Sequence, residues 1–177
     1  MTDVEALKDE LRAGRERLLA AIAGVSEEQF KRRPTSPPNP HSASREGEQG
    51  WSIAEVLAHL LALERAWSER IAQALAEDGA EVRPIADETL AEAARAGRVA
   101  PVPQLIHGLL AARRELGGLI DRAAAVEAGF ERAVMHPRRG RLTVAWMVRT
   151  YGIEHEAEHT TQIEAIRKEM EGTSAPG

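Results

Sequence analysis

The sequence predicts an all-α fold, a four-helix bundle, and three observations carry that prediction. Apolar residues recur at helical spacing along four long segments. Alanine and leucine dominate while aromatic residues make up only 3% of the chain, a composition that favours helices over sheet. No segment shows the alternation of a strand, so no sheet is expected. At 177 residues the chain is long enough to bury a core without covalent staples, and 1–177 reads as one helical bundle domain.

The first long helix is expected over 3–24, with Val4, Leu7, Leu11, Leu18, Leu19 and Ile22 as its stripe and Gly24 as its stop. Ser26 to Gln29 has the form of a capping box for a short turn carrying Phe30. Residues 33–50, with Pro34, Pro37, Pro38 and Pro40, form a loop between the first two long helices. It exceeds the usual ~12–15 residues of a structureless connection, which makes it mobile or a functional lid; His41 within it reads as solvated. The second helix, 52–78, starts at Ser52, with Glu55 completing a capping box and Trp51 stapled against Val56. Ile53, Val56, Leu57, Leu60, Leu63, Trp67, Ile71 and Leu75 face inward, with Glu64 the one charged residue among them. Asp78-Gly79 ends this helix.

A short helix is expected at 87–95, and Pro101-Val102-Pro103 resets the chain before a third long helix over 104–128. Leu105, Leu109, Leu116, Leu119, Ile120 and Ala123 face inward there, Gly117-Gly118 loosens the middle or admits a close neighbour, and His107 lies off the stripe. His136 to Gly140 is a turn, and the fourth helix spans 143–170, followed by a flexible tail at 172–177. Trp146 points away from the buried stripe of that helix. A tryptophan so placed favours a homodimer interface.

The chemistry sits in the fourth helix. Its stripe runs through Val144, Val148, Tyr151, Ile163, Ile166 and Met170, and His155 and His159 fall in the middle of it. Two inward imidazoles one turn apart are costly unless their nitrogens are satisfied, and a shared metal ion satisfies both. Bundles build such sites from facing helices, which makes His59, on the flank of the second helix, the third candidate. Glu55, one turn earlier, could orient His59 or supply a carboxylate. His155 to His159 also matches the H-E-x-x-H zinc-protease pattern, with Glu156 as the base. Those enzymes take a further ligand well downstream, and little chain follows His159, so the match is formal.

Composition narrows the setting. The absence of cysteine excludes disulfides, thiolate ligands and a cysteine nucleophile. A net charge of −5 offers no basic face for nucleic acid. Met1 to Arg17 lacks the apolar core of a signal peptide, and no apolar run approaches the roughly 18 residues of a membrane span. The expectation is a cytoplasmic protein acting on a small molecule, with no nucleic-acid or membrane partner.

The chain resembles the DinB/YfiT-like metalloenzyme superfamily over nearly its whole length. Gly50 to Leu60 (GWSIAEVLAHL) is similar to the family's entry to its second helix. His136-Pro137 through Gly140, with Leu142-Thr143-Val144, is similar to its turn before the last helix, and His155-x-x-x-His159-x-x-Gln162-Ile163 to its second metal segment. Ser26 to Phe30 before a proline loop is similar as well. The resemblance implies a four-helix bundle in which His59, His155 and His159 hold a divalent metal, often zinc or nickel. It further implies kinship with thiol S-transferases that use bacillithiol, mycothiol or glutathione, and with mycothiol-dependent maleylpyruvate isomerase. Three neutral imidazoles leave a coordination position open, as catalytic sites do. Water or an external low-molecular-weight thiol would be activated there, with Glu55 or Glu156 shuttling the proton or holding an imidazole tautomer. The alternative is a non-catalytic helical metal-binding or dimerisation domain.

Overall fold

The computed structural model describes residues 3–35 and 50–173. The proline-rich segment 36–49, including His41, and the end of the tail at 174–177 lie outside the described residues.

Two helices begin at the caps that the sequence names, Ser26 and Ser52, while the helix expected over 104–128 runs over Val102–Ala125 with no side-chain cap. Helix α1 (Val4–Ile22) starts after Asp3, whose side chain accepts from the Ala6 N–H, and Gly24 turns the chain beyond it at φ 75°. Helices α2 (Glu27–Lys31) and α3 (Ile53–Ala76) each open on a reciprocal capping box, Ser26 with Gln29 and Ser52 with Glu55. Helix α4 (Asp87–Gly97) lies close across α3. A Cβ at Gly97 would come within 2.5 Å of the Ala58 Cβ and 2.6 Å of the Ala54 carbonyl oxygen, so only glycine permits the contact. Helix α5 (Val102–Ala125) runs unbroken through Gly117 and Gly118, and no atom stands within 4 Å of where their Cβ atoms would be. The glycine pair therefore admits no close neighbour, contrary to the expectation.

The last long helix is composite. Helix α6 (Val144–Met147) passes into a π-helical segment (Val148–Glu154) and then into α7 (His155–Thr173). The His155 N–H reaches back to the Thr150 carbonyl, the i→i+5 pattern that widens a helix and is frequent at functional sites.

A further expectation fails. A small sheet of three strands exists, where none was predicted. Strand β1 (Ala80–Glu81) pairs in parallel with β2 (Ala133–His136), which pairs antiparallel with β3 (Gly140–Thr143). The turn at 137–139 is where the sequence puts it, and Gly140 takes φ 71°. Asp78, just beyond α3, accepts from the Ala133 N–H at 2.9 Å and ties the sheet to the helix end. Strands of two and four residues are too short to show alternation, and β1 and β2 lie some fifty residues apart in the chain. The sheet is an appendage at one end; the four long helices remain the architecture.

The interior has two apolar halves. Leu7, Leu11, Leu63, Trp67, Ile71, Leu116, Ile120, Val144 and Val148 form one; Leu18, Val56, Leu57, Leu60, Leu105, Leu109, Ile163 and Ile166 form the other. Each long helix contributes one charged side chain at the level between them: Arg15 from α1, Glu64 from α3, Arg113 from α5 and Glu156 from α7. Arg15 Nη2 lies 2.6 Å from both Glu64 and Glu156, while Arg113 lies 2.9 Å from Glu64 and 2.7 Å from Glu156. Glu64, unexplained in the sequence, is one corner of this buried quartet. Trp146 is 37% exposed, and its ring meets Trp67 and Tyr151 edge-on at 6.4 and 5.7 Å. It closes an aromatic cluster as well as facing outward.

Candidate metal centre

Histidines from α3 and α7 meet between the packed helices. His59 and His159 are buried, and His155 is half-buried at the edge of a cavity. The Nε2 atom of His155 lies 3.2 Å from Nε2 of His59 and 3.1 Å from Nε2 of His159. All three ligand atoms fall within 4.8 Å of one another. Nitrogens about 2.0–2.1 Å from one tetrahedral ion stand roughly 3.3 Å apart, so these three fit a common ion. A single N–H···N bond has a similar length. His155 Nε2, however, faces two such neighbours, and one N–H can serve only one of them.

The ring orientations suit metal binding. His159 donates from Nδ1 to the Gln162 Oε1 at 2.7 Å, which leaves the lone pair on Nε2 for an ion. Burial pushes the His159 imidazole below its ordinary value, with Gln162 opposing it, so the ring stays neutral and able to ligate. Glu158 Oε2 stands 3.7 Å from Nδ1 of His155. Trp51, read from sequence as a helix staple, packs its ring 5.0 Å from that of His59. Tyr151, on the π segment, stacks on Trp67 at 3.9 Å and borders His155 at 6.1 Å.

The structure brings neither Glu55 nor Glu156 into the histidine cluster. Glu55 is wholly buried as the reciprocal partner of Ser52 in the α3 capping box: it accepts from the Ser52 N–H at 2.9 Å and is gripped by Arg33 at 2.5 and 3.0 Å. Burial pushes its carboxyl up, but the hydrogen bonds from Arg33 and Ser52 outweigh that and hold it below the ordinary range. Glu156 lies between two ligand histidines in sequence, yet its carboxylate is committed to Arg15 and Arg113. Burial pushes that carboxyl up against the pull of Arg113 and Arg15. The protease pattern therefore has its glutamate facing away from the histidines' side of the helix.

The histidines open onto a cavity of about 710 Å³. Leu63, Trp67, Pro84, Ile85, Leu90 and Tyr151 give it an apolar wall, and Asp87 and Glu158 line it as well. The β2–β3 hairpin supplies His136, Arg138 and Arg139, a contribution hidden in the sequence behind what looked like a plain turn.

A helical bundle whose facing helices bring three histidines to one side of a mixed apolar and polar cavity is a bundle protein with a site that could hold a metal ion. The chain belongs to the DinB superfamily, a model of which matches residues 10–163. Among solved structures it is similar to YfiT from Bacillus subtilis, described as a probable metal-dependent hydrolase with an unusual four-helix bundle topology. That likeness has 16% identity and a TM-score of 0.73, and covers 97% of this chain and 90% of that one. An uncharacterized protein from Clostridium difficile 630 is similar at 14% identity and a TM-score of 0.58, over 97% of each chain. At such identities the likeness shows the fold. No curated protein sequence matches the chain. Among the described residues, no helix is long and apolar enough to cross a membrane.

Proposed function

We propose that the protein is a divalent-metal-dependent enzyme that activates water or an external low-molecular-weight thiol against a small-molecule substrate. The observation that carries this reading is the convergence of three Nε2 atoms, 3.1 and 3.2 Å apart, on the floor of a 710 Å³ cavity. Zinc and nickel suit an all-nitrogen donor set. Held by three neutral imidazoles, either ion would supply Lewis acidity and lower the pKa of a water or thiol in its open position. Since the chain has no cysteine, any thiol must come from outside.

Around the ion the residues have distinct work. Gln162 fixes the His159 tautomer. Glu158, half-exposed on the cavity wall beside His155, is placed to accept a proton or to hold the His155 ring. We assign it the carboxylate role that the sequence offered to Glu55 and Glu156, whose carboxylates are already paired with arginines away from the histidines. The YfiT description of a probable metal-dependent hydrolase supports the water arm of the proposal. Homodimer formation through the face around Trp146 is proposed alongside, supported by the partial exposure of that ring. Light scattering at micromolar concentration that returned the monomer mass of 19.3 kDa would refute it.

The test pairs metal content with turnover. Purified protein is assayed for bound metal, then offered an activated ester alone and an alkyl halide with bacillithiol, mycothiol or glutathione. Metal-dependent turnover of the ester selects the hydrolase; turnover of the halide with one thiol selects the transferase. Absence of both, with metal bound, leaves the non-catalytic bundle as the correct reading.

A further inference from the structure

We infer that the cavity takes substrates bearing an anionic group, a carboxylate or a phosphate, on an otherwise apolar body, and that the β2–β3 hairpin reads that group. This rests on the cavity being the substrate site, as proposed above.

The lining is unbalanced in charge. Arg70, Arg138 and Arg139 face Asp87 and Glu158, and a dication among the histidines would add to the excess. The guanidinium of Arg138 makes no hydrogen bond or ion pair with any described residue. Arg139 donates to the Tyr151 hydroxyl at 2.7 Å, which steadies it along the cavity wall and leaves its other donors available. Arg70 is only 9% exposed. It donates to the Ala66 and Arg83 carbonyls and lies 5.0 Å over Trp67, but no carboxylate among the described residues pairs with it. A buried guanidinium lacking a counter-charge is unfavourable, and an anionic ligand would offset it.

His136 completes the arm. Its Nδ1 accepts from the Arg138 and Arg139 N–H groups, both at 3.2 Å, so the proton resides on Nε2. Burial and the nearby charges of Arg139, Arg70 and Arg138 hold this imidazole below its ordinary value. The hairpin thus offers a neutral N–H donor between two arginines, a donor set that suits carboxylate and phosphate oxygens. The remaining walls, Leu63, Trp67, Ile85, Leu90 and Tyr151, accept an apolar body.

Calorimetric titration with benzoate, phenyl phosphate and the neutral benzamide tests this on both metal-loaded and chelator-stripped protein. At least one anion is expected to bind about ten-fold or more tightly than benzamide in both metal states, and the better of the two identifies the group read. Arg138→Ala with Arg139→Ala should remove that preference while leaving benzamide binding and metal content unchanged; the paired Lys variant should keep part of it. Equal binding of anions and benzamide, a preference surviving the double alanine variant, anion binding seen only with metal present, or no binding of any probe would each overturn the inference. Because the stripped protein is one arm, a failure to load metal registers separately and counts against the metal reading alone.

Discussion

Two polar clusters share the interior of this bundle and even share helices, yet they are built for opposite ends. Glu64 and His59 both project from α3; Glu156 and its neighbours His155 and His159 all project from α7. The quartet of Arg15, Glu64, Arg113 and Glu156 is balanced, two cations against two anions, with three members buried and Arg113 partly so. The histidine trio is a set of donors converging on one point and open to a cavity. A set of opposite charges neutralises itself; a set of like donors needs something that the chain does not carry. Burial alone does not mark a functional site. What marks it is an unbalanced donor set with an exit.

The comparison can be broken most forcefully at the quartet. Glu64→Ala should cost about 3–5 kcal/mol in denaturant melts, because it leaves Arg15 and Arg113 sharing the single carboxylate of Glu156 in the core. Replacing all four residues by apolar ones of similar volume should be neutral or stabilising by about 1–4 kcal/mol. Arg15 Nε and Nη1 and Glu156 Oε1 already lack hydrogen-bond partners among the described residues, which favours that outcome. A Glu64→Ala melt within about 0.5 kcal/mol of wild type would show that the quartet is not a closed unit.

At the histidines the expected damage falls on affinity rather than on folding. Gln162→Leu frees the His159 tautomer and should weaken metal binding roughly 10–100-fold, with the melt of metal-free protein shifted far less than by Glu64→Ala. Unchanged affinity would remove Gln162 from the site.

The smallest effect belongs to Glu55. Glu55→Gln should lower stability at pH 7 by roughly 0.2–1 kcal/mol, because Gln can keep the capping bond to Ser52 but loses the ion pair with the half-exposed Arg33. Since Arg33 and Ser52 hold the Glu55 carboxyl below its ordinary value, its contribution is complete above the unfolded value of about 4.3 and disappears as pH falls through the lower folded value. The gap between wild type and Glu55→Gln should therefore narrow as the medium is acidified below about pH 4. A gap that stayed constant would mean that the carboxylate charge contributes nothing.

Much of the architecture was legible because it repeats. Stripes at Leu7, Leu11 and Leu18 or at Leu105, Leu109 and Leu116 identify buried faces, and Ser52 with Glu55 marks a helix start to within a residue. Two members of the triad were legible for the same reason, since His155 and His159 interrupt a stripe; His59, on the flank of its helix, was legible only through its place on a facing helix and the family resemblance. Features that arise only from contacts across the fold were not. Arg15 and Arg113 look like ordinary exposed arginines until Glu64 and Glu156 are set opposite them. The π segment over 148–154 has no compositional signature, and the four-residue strands flanking His136 to Gly140 left only their turn visible. His136, Arg138 and Arg139 therefore read as loop, although the fold places them on the cavity wall beside the histidines.

The central claim is that His59, His155 and His159 are one metal site, and zinc titration of chelator-stripped protein by calorimetry tests it most directly. The expected result is one ion per chain, lost on His155→Ala or His159→Ala and strongly weakened on His59→Ala, with all three variants folded by circular dichroism. Absence of zinc binding by the wild type, or binding undiminished in any of the three variants, would contradict it.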